Sequence, residues 1–78
     1  MDSKEETKLL KKLIENTKLE LVNLNVQEWV YEHEYETPVH IGKEEAKQRL
    51  ELYRKRITQV QENLNAYHAY ATANEIKL

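Results

Sequence analysis

The side chains best suited to bind a metal ion are three histidines and fourteen carboxylates, because the chain contains no cysteine. A metal site needs ligands that converge, and a helix brings ligands together at spacings of three or four residues. His33, His40 and His68 form neither a His-x-x-x-His pair nor a Glu-x-x-His pair. A surface site of His33, Glu36 and His40 is the remaining option, and solvated polar side chains explain these residues more simply. We expect no metal site.

Catalytic groups are equally sparse. Acid and base catalysis needs carboxylates in a concave, partly desolvated pocket, whereas Glu28, Glu32 and Glu36 follow the spacing of a solvated helix flank. The sequence has no glycine-rich phosphate loop and no nucleophile elbow, and its one serine is Ser3. We therefore expect no enzyme, with no catalytic or cofactor-binding residues and no small-molecule substrate.

A basic segment in the second half of the chain could bind nucleic acid. Binding to phosphates needs lysines and arginines that share a face. Glu44, Glu45 and Glu51 interrupt this segment, and the whole chain has a net charge of -2. Nucleic-acid binding is therefore the alternative function. The residues that would carry it are Lys47, Arg49, Arg54, Lys55 and Arg56.

Two long segments without glycine or proline must position these side chains, one from about residue 4 to 34 and one from about residue 43 to 74. Mostly apolar residues recur in both at alternating spacings of four and three, the heptad pattern of packed helices. We call each such row a seam. The first seam is Leu10, Ile14, Thr17, Leu21, Leu24, Glu28 and Tyr31, and the second is Ala46, Leu50, Tyr53, Ile57, Val60, Leu64, Tyr67 and Ala71.

A turn at about residues 35–42 separates the two helices. Pro38 cannot continue the first helix and disfavours helical dihedral angles at Thr37, and Gly42 suits the N-cap of the second helix. So short a turn makes the helices antiparallel, and the two seams then pair with residue numbers that add up to 77 or 78. The sequence predicts an all-α, antiparallel two-helix hairpin, with residues 1–78 as a single domain.

The distribution of charge favours the same pairing. Residues 28–36 carry four glutamates and no lysine or arginine, while residues 43–56 carry six bases and three acids. The hairpin places these two segments side by side. Each exposed ion pair contributes only about 0–1 kcal/mol, so the charges indicate orientation rather than stability.

Residues 29–37 also fit a strand, because aromatic residues and a histidine alternate there with glutamates. A single strand would have no partner within this chain. The helix is therefore the preferred interpretation.

The first helix carries a second apolar row, which we call the outer stripe. At 100° per residue it lies about 100–180° around the helix from the seam, so one neighbouring helix cannot cover both. Burying a stripe that includes a tryptophan stabilises by several kcal/mol at about 25 cal/mol per Å², which leads us to expect a partner chain. The candidate partner-binding residues are Leu19, Val22, Val26, Trp29, Val30 and His33.

Two kinds of partner fit the outer stripe. A second copy related by a two-fold axis would give a four-helix bundle, and a 78-residue chain without disulfides benefits from forming a homodimer. A different protein is the other partner, with Trp29 as the anchor of the interface. In both cases we expect a non-enzymatic interaction module: a stoichiometric inhibitor, adaptor or small regulator.

The chain has no cysteine, no apolar stretch of about 18 residues and no basic and apolar leader after Met1. We therefore expect a cytoplasmic protein without a membrane partner.

In architecture, the two-helix plan resembles plasmid copy-control hairpins that dimerise into four-helix bundles, and secreted helical hairpins that carry a Trp-x-Gly turn. Trp29 is followed by Val30 and Tyr31, without that glycine. The resemblance therefore implies no function.

Overall fold

The computed structural model describes all 78 residues as two helices, α1 (Ser3–Glu36) and α2 (Lys43–Ala73), which pack side by side in a hairpin. The predicted all-α hairpin is confirmed. α1 begins one residue earlier and ends two residues later than the pattern indicated, and α2 ends one residue earlier. Residues 29–36 are helical, so the strand interpretation is wrong.

Both helices begin at chemically suitable residues. Asp2 is the N-cap of α1, and its carboxylate accepts a hydrogen bond from the backbone N–H of Glu5 at 2.8 Å, which satisfies one of the free donors of the first turn. Gly42 is the N-cap of α2 and makes no side-chain capping bond. Its carbonyl accepts the N–H of Ala46 at 3.0 Å.

The end of α2 folds back on the hairpin. The N–H of Ile76 donates to the carbonyl of Ala71 at 2.8 Å, and that of Glu75 donates to Thr72 at 3.3 Å, which is the pattern of a Schellman motif. Glu75 has a φ of 55° in the left-handed region, where glycine is favoured. Ile76 packs against a cluster that contains Leu10, so the motif closes the open end of the hairpin.

The core is one row of contacts between the two helices. Every residue of the two predicted seams is buried or half-buried, and Val60 is 1% exposed. The rings of Tyr31 and Tyr53 stack near the turn, with centroids 5.4 Å apart. Nine of the 78 residues are buried, so most of the surface of each helix faces solvent. The hairpin is therefore a thin rod, with extents of 52 × 16 × 16 Å.

One side chain of α1 holds the turn. Oε1 of Glu34 accepts the backbone N–H groups of Val39, His40 and Ile41 at 2.7, 2.5 and 2.8 Å. These bonds, that from Ile41 above all, lower the pKa of Glu34 from its ordinary value of 4.5. Glu34 thus differs from Glu28 and Glu32, which contact Arg54 of α2, because the turn satisfies the charge of Glu34.

Candidate functional site

The outer stripe of α1 lies on the side of the helix away from α2 and is exposed along its whole length. Its five apolar side chains keep between 42% and 68% of their surface in solvent, and Trp29 keeps 60%. His33 is also exposed. These members are Leu19, Val22, Val26, Trp29, Val30 and His33. Because α1 is continuous through all six, the stripe is a straight apolar surface about 21 Å long.

The aromatic end of the stripe is ordered by a local contact. The rings of Trp29 and His33 lie one helical turn apart, with centroids 4.1 Å apart and planes tilted by 42°. Nδ1 of His33 is 3.1 Å from the carbonyl oxygen of Trp29. Since a carbonyl only accepts, Nδ1 carries the proton in this contact. The indole therefore sits on a rigid helix beside a polar group that faces solvent.

The spacing of the stripe continues into charged residues at both ends. Lys12 and Glu15 precede Leu19, and Glu36 follows His33, all at the same alternating steps of three and four. These residues are exposed. Sequence reasoning missed this extension, although the spacing that reveals it is visible in the sequence. The outer side of α1 is thus apolar in the middle, mainly basic towards its amino end and acidic at its carboxyl end.

α2 has no matching stripe. Polar and charged residues occupy the equivalent outward positions of α2, again at steps of four and three, and all of them are exposed. They are Glu51, Lys55, Thr58, Glu62 and Asn65. Leu52 is the most exposed large apolar residue of α2, at 66%, and it lies to one side of this row. The apolar surface available for a partner is therefore concentrated on α1.

The arginines proposed for nucleic-acid binding contact α1 instead of facing outward together. Arg54 lies 3.3 Å from Glu28 and 3.9 Å from Glu32. Arg56 donates two hydrogen bonds to Glu20, at 3.0 and 2.6 Å. Arg54 thus joins the acidic and basic segments as predicted, whereas Arg56 pairs with Glu20, which lies outside the acidic segment.

The five bases do not share one face. Arg49 donates to the hydroxyl of Tyr31 at 2.9 Å, on the same side of the hairpin as Arg56, whereas Arg54 lies on the opposite side. Lys55 points away from α1, and Lys47 is exposed. The structure thus spreads the basic residues around the hairpin.

The geometry of the hairpin gives little support for a metal site or a small-molecule site. No group of three or more His, Asp or Glu side chains is close enough together to bind a metal ion. The surface depressions are shallow, and one on the outer side of α1 is lined by Glu15, Lys18, Leu19 and Val22, at the amino end of the outer stripe. Neither helix contains a stretch that is both apolar enough and long enough to cross a membrane.

Comparisons with protein-family models, with curated proteins and with solved structures find no match to this chain.

Proposed function

We propose that this protein is a non-enzymatic interaction module that binds another protein chain through the outer stripe of α1. The observation that carries the proposal is the exposure of Trp29 and its apolar neighbours on the side of α1 that α2 cannot reach. A continuous apolar surface of this kind on a small chain is typical of an interaction site.

The stripe suits a helical partner. It is straight, and its residues follow the spacing by which one helix packs into the grooves of another. Trp29 supplies the large aromatic side chain that commonly dominates an interface, and the valines around it would exclude water from the contact. Burial of the stripe in an interface would remove apolar surface from water and so stabilise the complex, which the hairpin alone cannot achieve.

The biological role that fits such a module is stoichiometric: an inhibitor, adaptor or small regulator, in the cytoplasm, acting as a homodimer or on a different protein. The polar outer face of α2 bears on the form of a dimer. It favours an assembly in which the two α1 helices touch and the α2 helices lie outside, over a square four-helix bundle with a core lined equally by all helices.

Substitutions in the stripe test this proposal. Trp29→Ala and Val26→Glu should abolish binding of the partner chain while leaving the far-ultraviolet circular dichroism of the hairpin unchanged. Leu52→Ala is the matched control, because Leu52 is also a large exposed apolar residue, at 66% against 60% for Trp29, but lies on α2. Binding is measured by analytical ultracentrifugation of the purified protein and by affinity capture from the host. If both stripe variants keep the mass and the captured proteins of the unmodified chain, the proposal is wrong.

Nucleic-acid binding receives less support from the geometry, because three of its five candidate bases already contact side chains of α1 or a neighbouring glutamate. Lys47 and Lys55 are the bases left for phosphate contacts. A titration with duplex DNA and with single-stranded RNA at two salt concentrations tests this alternative, since phosphate contacts weaken steeply with added salt.

A further inference from the structure

We infer that the chain covering the outer stripe is a second copy of this protein, and that the two α1 helices run antiparallel to each other. In this register, the numbers of two residues that face each other across the contact add up to 48. This inference rests on the proposed function of the stripe and names its partner.

The outward row of α1 is a complete heptad seam of its own. Its residues follow alternating steps of four and three without interruption from near the start of the helix to its last residue. They are Lys8, Lys12, Glu15, Leu19, Val22, Val26, Trp29, His33 and Glu36. Helices with such seams pair by interdigitating the seam residues, and in an antiparallel pair the two kinds of seam position face each other. The possible antiparallel registers therefore differ by seven in the sum of the paired residue numbers.

The register with a sum of 48 matches the apolar residues with one another. Leu19 lies opposite the partner's Trp29, and Val22 lies opposite the partner's Val26. The two-fold axis repeats both pairs, so four consecutive layers are apolar.

The same register pairs opposite charges at both ends of the contact. Lys12 lies opposite the partner's Glu36 at one end, and the two-fold axis repeats this pair at the other end. Beside the seam, Lys18 lies next to the partner's Glu32. Within one chain Lys12 and Glu36 are about 36 Å apart along the helix, so they can form an ion pair only between chains.

Other arrangements lose this match. A sum of 41 places Lys12 against the partner's Trp29, and a sum of 55 places Leu19 against the partner's Glu36. A parallel pair in register places Lys12 against Lys12 and Glu36 against Glu36. Each of these arrangements buries a charge against an apolar side chain or brings like charges together, and both are unfavourable.

The resulting dimer is a flat layer of four helices. The seam and the outer stripe lie on nearly opposite sides of α1, so the two α1 helices form the centre and each α2 lies outside. The polar row of α2 then faces solvent.

Charge exchange between the ends of α1 tests the register. Lys12→Glu and Glu36→Lys should each raise the dimer dissociation constant about tenfold, because each places two pairs of like charges at the ends of the contact. The double variant restores opposite charges and should return the constant to within about threefold of the unmodified value. Lys55→Glu and Glu62→Lys on α2 are the matched controls, and they should leave it unchanged. Sedimentation equilibrium gives the dissociation constants.

Disulfide trapping tests the direction of the helices without relying on charge, because the chain has no cysteine of its own. A mixture of Glu15→Cys and His33→Cys chains, which keep the four apolar layers intact, should form the mixed disulfide on oxidation. Either variant alone should not, since its two cysteines would be about 27 Å apart along the axis, which is too far for a disulfide.

Three results would overturn the register: a disulfide formed by His33→Cys alone, no mixed disulfide between chains that still dimerise, or no recovery in the double charge variant. A monomeric mass at all concentrations would overturn the second copy as partner. In that case the proposed function still stands if Trp29→Ala abolishes capture of a different protein, and it fails if Trp29→Ala changes neither mass nor capture.

Discussion

The two helices of the hairpin are alike where they face each other and unlike where they face away. Each presents a heptad seam to the other, and every seam residue is at least half-buried. On the outer side, α1 carries Val22, Val26 and Trp29, whereas α2 carries Glu51, Lys55 and Thr58 at the same steps of four and three. Pairing with α1 therefore covers most of the apolar surface of α2 and leaves Leu52 and Tyr70 exposed, whereas α1 keeps a whole second apolar row in solvent.

Stability and binding are therefore expected to depend on different residues of α1. Residues of the seam stabilise the hairpin, and residues of the outer stripe contribute little to it because much of their surface stays in solvent. α1 also holds the turn through Glu34, so its three sides have three different roles. Substitutions that affect one role at a time test this separation.

The largest effect on stability is expected in the seam. Leu50→Ala should lower the free energy of unfolding by about 2–4 kcal/mol, because Leu50 is 6% exposed and its loss leaves a cavity between the helices. Leu52→Ala, two residues away and exposed, should change it by less than about 0.5 kcal/mol. Urea unfolding followed by circular dichroism measures both. Equal losses at the two leucines would contradict the single-seam core.

A smaller effect is expected at the turn. Because the pKa of Glu34 is lowered in the folded state, its ionised form stabilises the fold above the ordinary value of 4.5, and this contribution is lost as the pH falls through the lowered pKa. Glu34→Gln should therefore lower the thermal midpoint at pH 7, and the difference from the unmodified protein should shrink towards pH 2.

Glu62→Gln is the control for this titration, because Glu62 is exposed on α2. Its difference from the unmodified protein should stay near zero throughout. A constant difference at Glu34 across the pH range would show that its charge does not hold the turn.

At the end of α2, a substitution is expected to raise the free energy of unfolding by about 1 kcal/mol. Glu75→Gly removes the side chain that disfavours a φ of 55° and leaves the backbone of the Schellman motif in place. Glu75→Ala keeps the β-carbon and should leave the free energy of unfolding unchanged. Thermal unfolding of the three proteins side by side checks the order, and a destabilised glycine variant would contradict the assigned conformation.

The smallest effect on hairpin stability is expected in the outer stripe. In dilute solution, Val26→Ala should change the free energy of unfolding by a few tenths of a kcal/mol, because the better helix propensity of alanine offsets the removal of two half-exposed methyl groups. Val60→Ala, in the seam, should lower it by about 2 kcal/mol. A large loss at Val26 in the monomer would mean that the stripe is part of the intramolecular core.

Most of the fold could be predicted from the sequence because one physical rule decides it. Side chains three and four residues apart share a side of a helix, so the positions of Leu10, Leu24, Leu50 and Val60 alone indicate which sides meet. Pro38 then fixes where the chain must turn. These features are local, and the structure agrees with them.

The parts that could not be predicted depend on backbone geometry. In the sequence, Glu34 is indistinguishable from the other acids on the flank of the helix. Its role depends on the path of the turn, which brings three N–H groups to its carboxylate. Glu75 occupies a position where glycine is the usual signal, so the sequence gives no sign of the Schellman motif. Neither feature follows from the spacing of side chains.

The candidate site also has one part that could be predicted from the sequence and one part that could not. The exposure of the outer stripe follows from its angle to the seam, and its residues could be named from the sequence. The directions of Arg49, Arg54 and Arg56 could not, because a count of bases in a segment does not say which carboxylate each one reaches.

The bond network of the turn also has a kinetic consequence. The three N–H groups that Glu34 accepts lie five to seven residues along the chain, whereas the hydrogen bond between Tyr70 and Glu6 joins residues 64 apart. Since the entropy lost on closing a loop grows with its length, the turn is the least costly contact to form first, and the two helices then zip together towards the chain ends. With contacts added in this order, refolding should be fast, within microseconds to milliseconds as is typical of helical proteins, and it should slow when Glu34 is replaced.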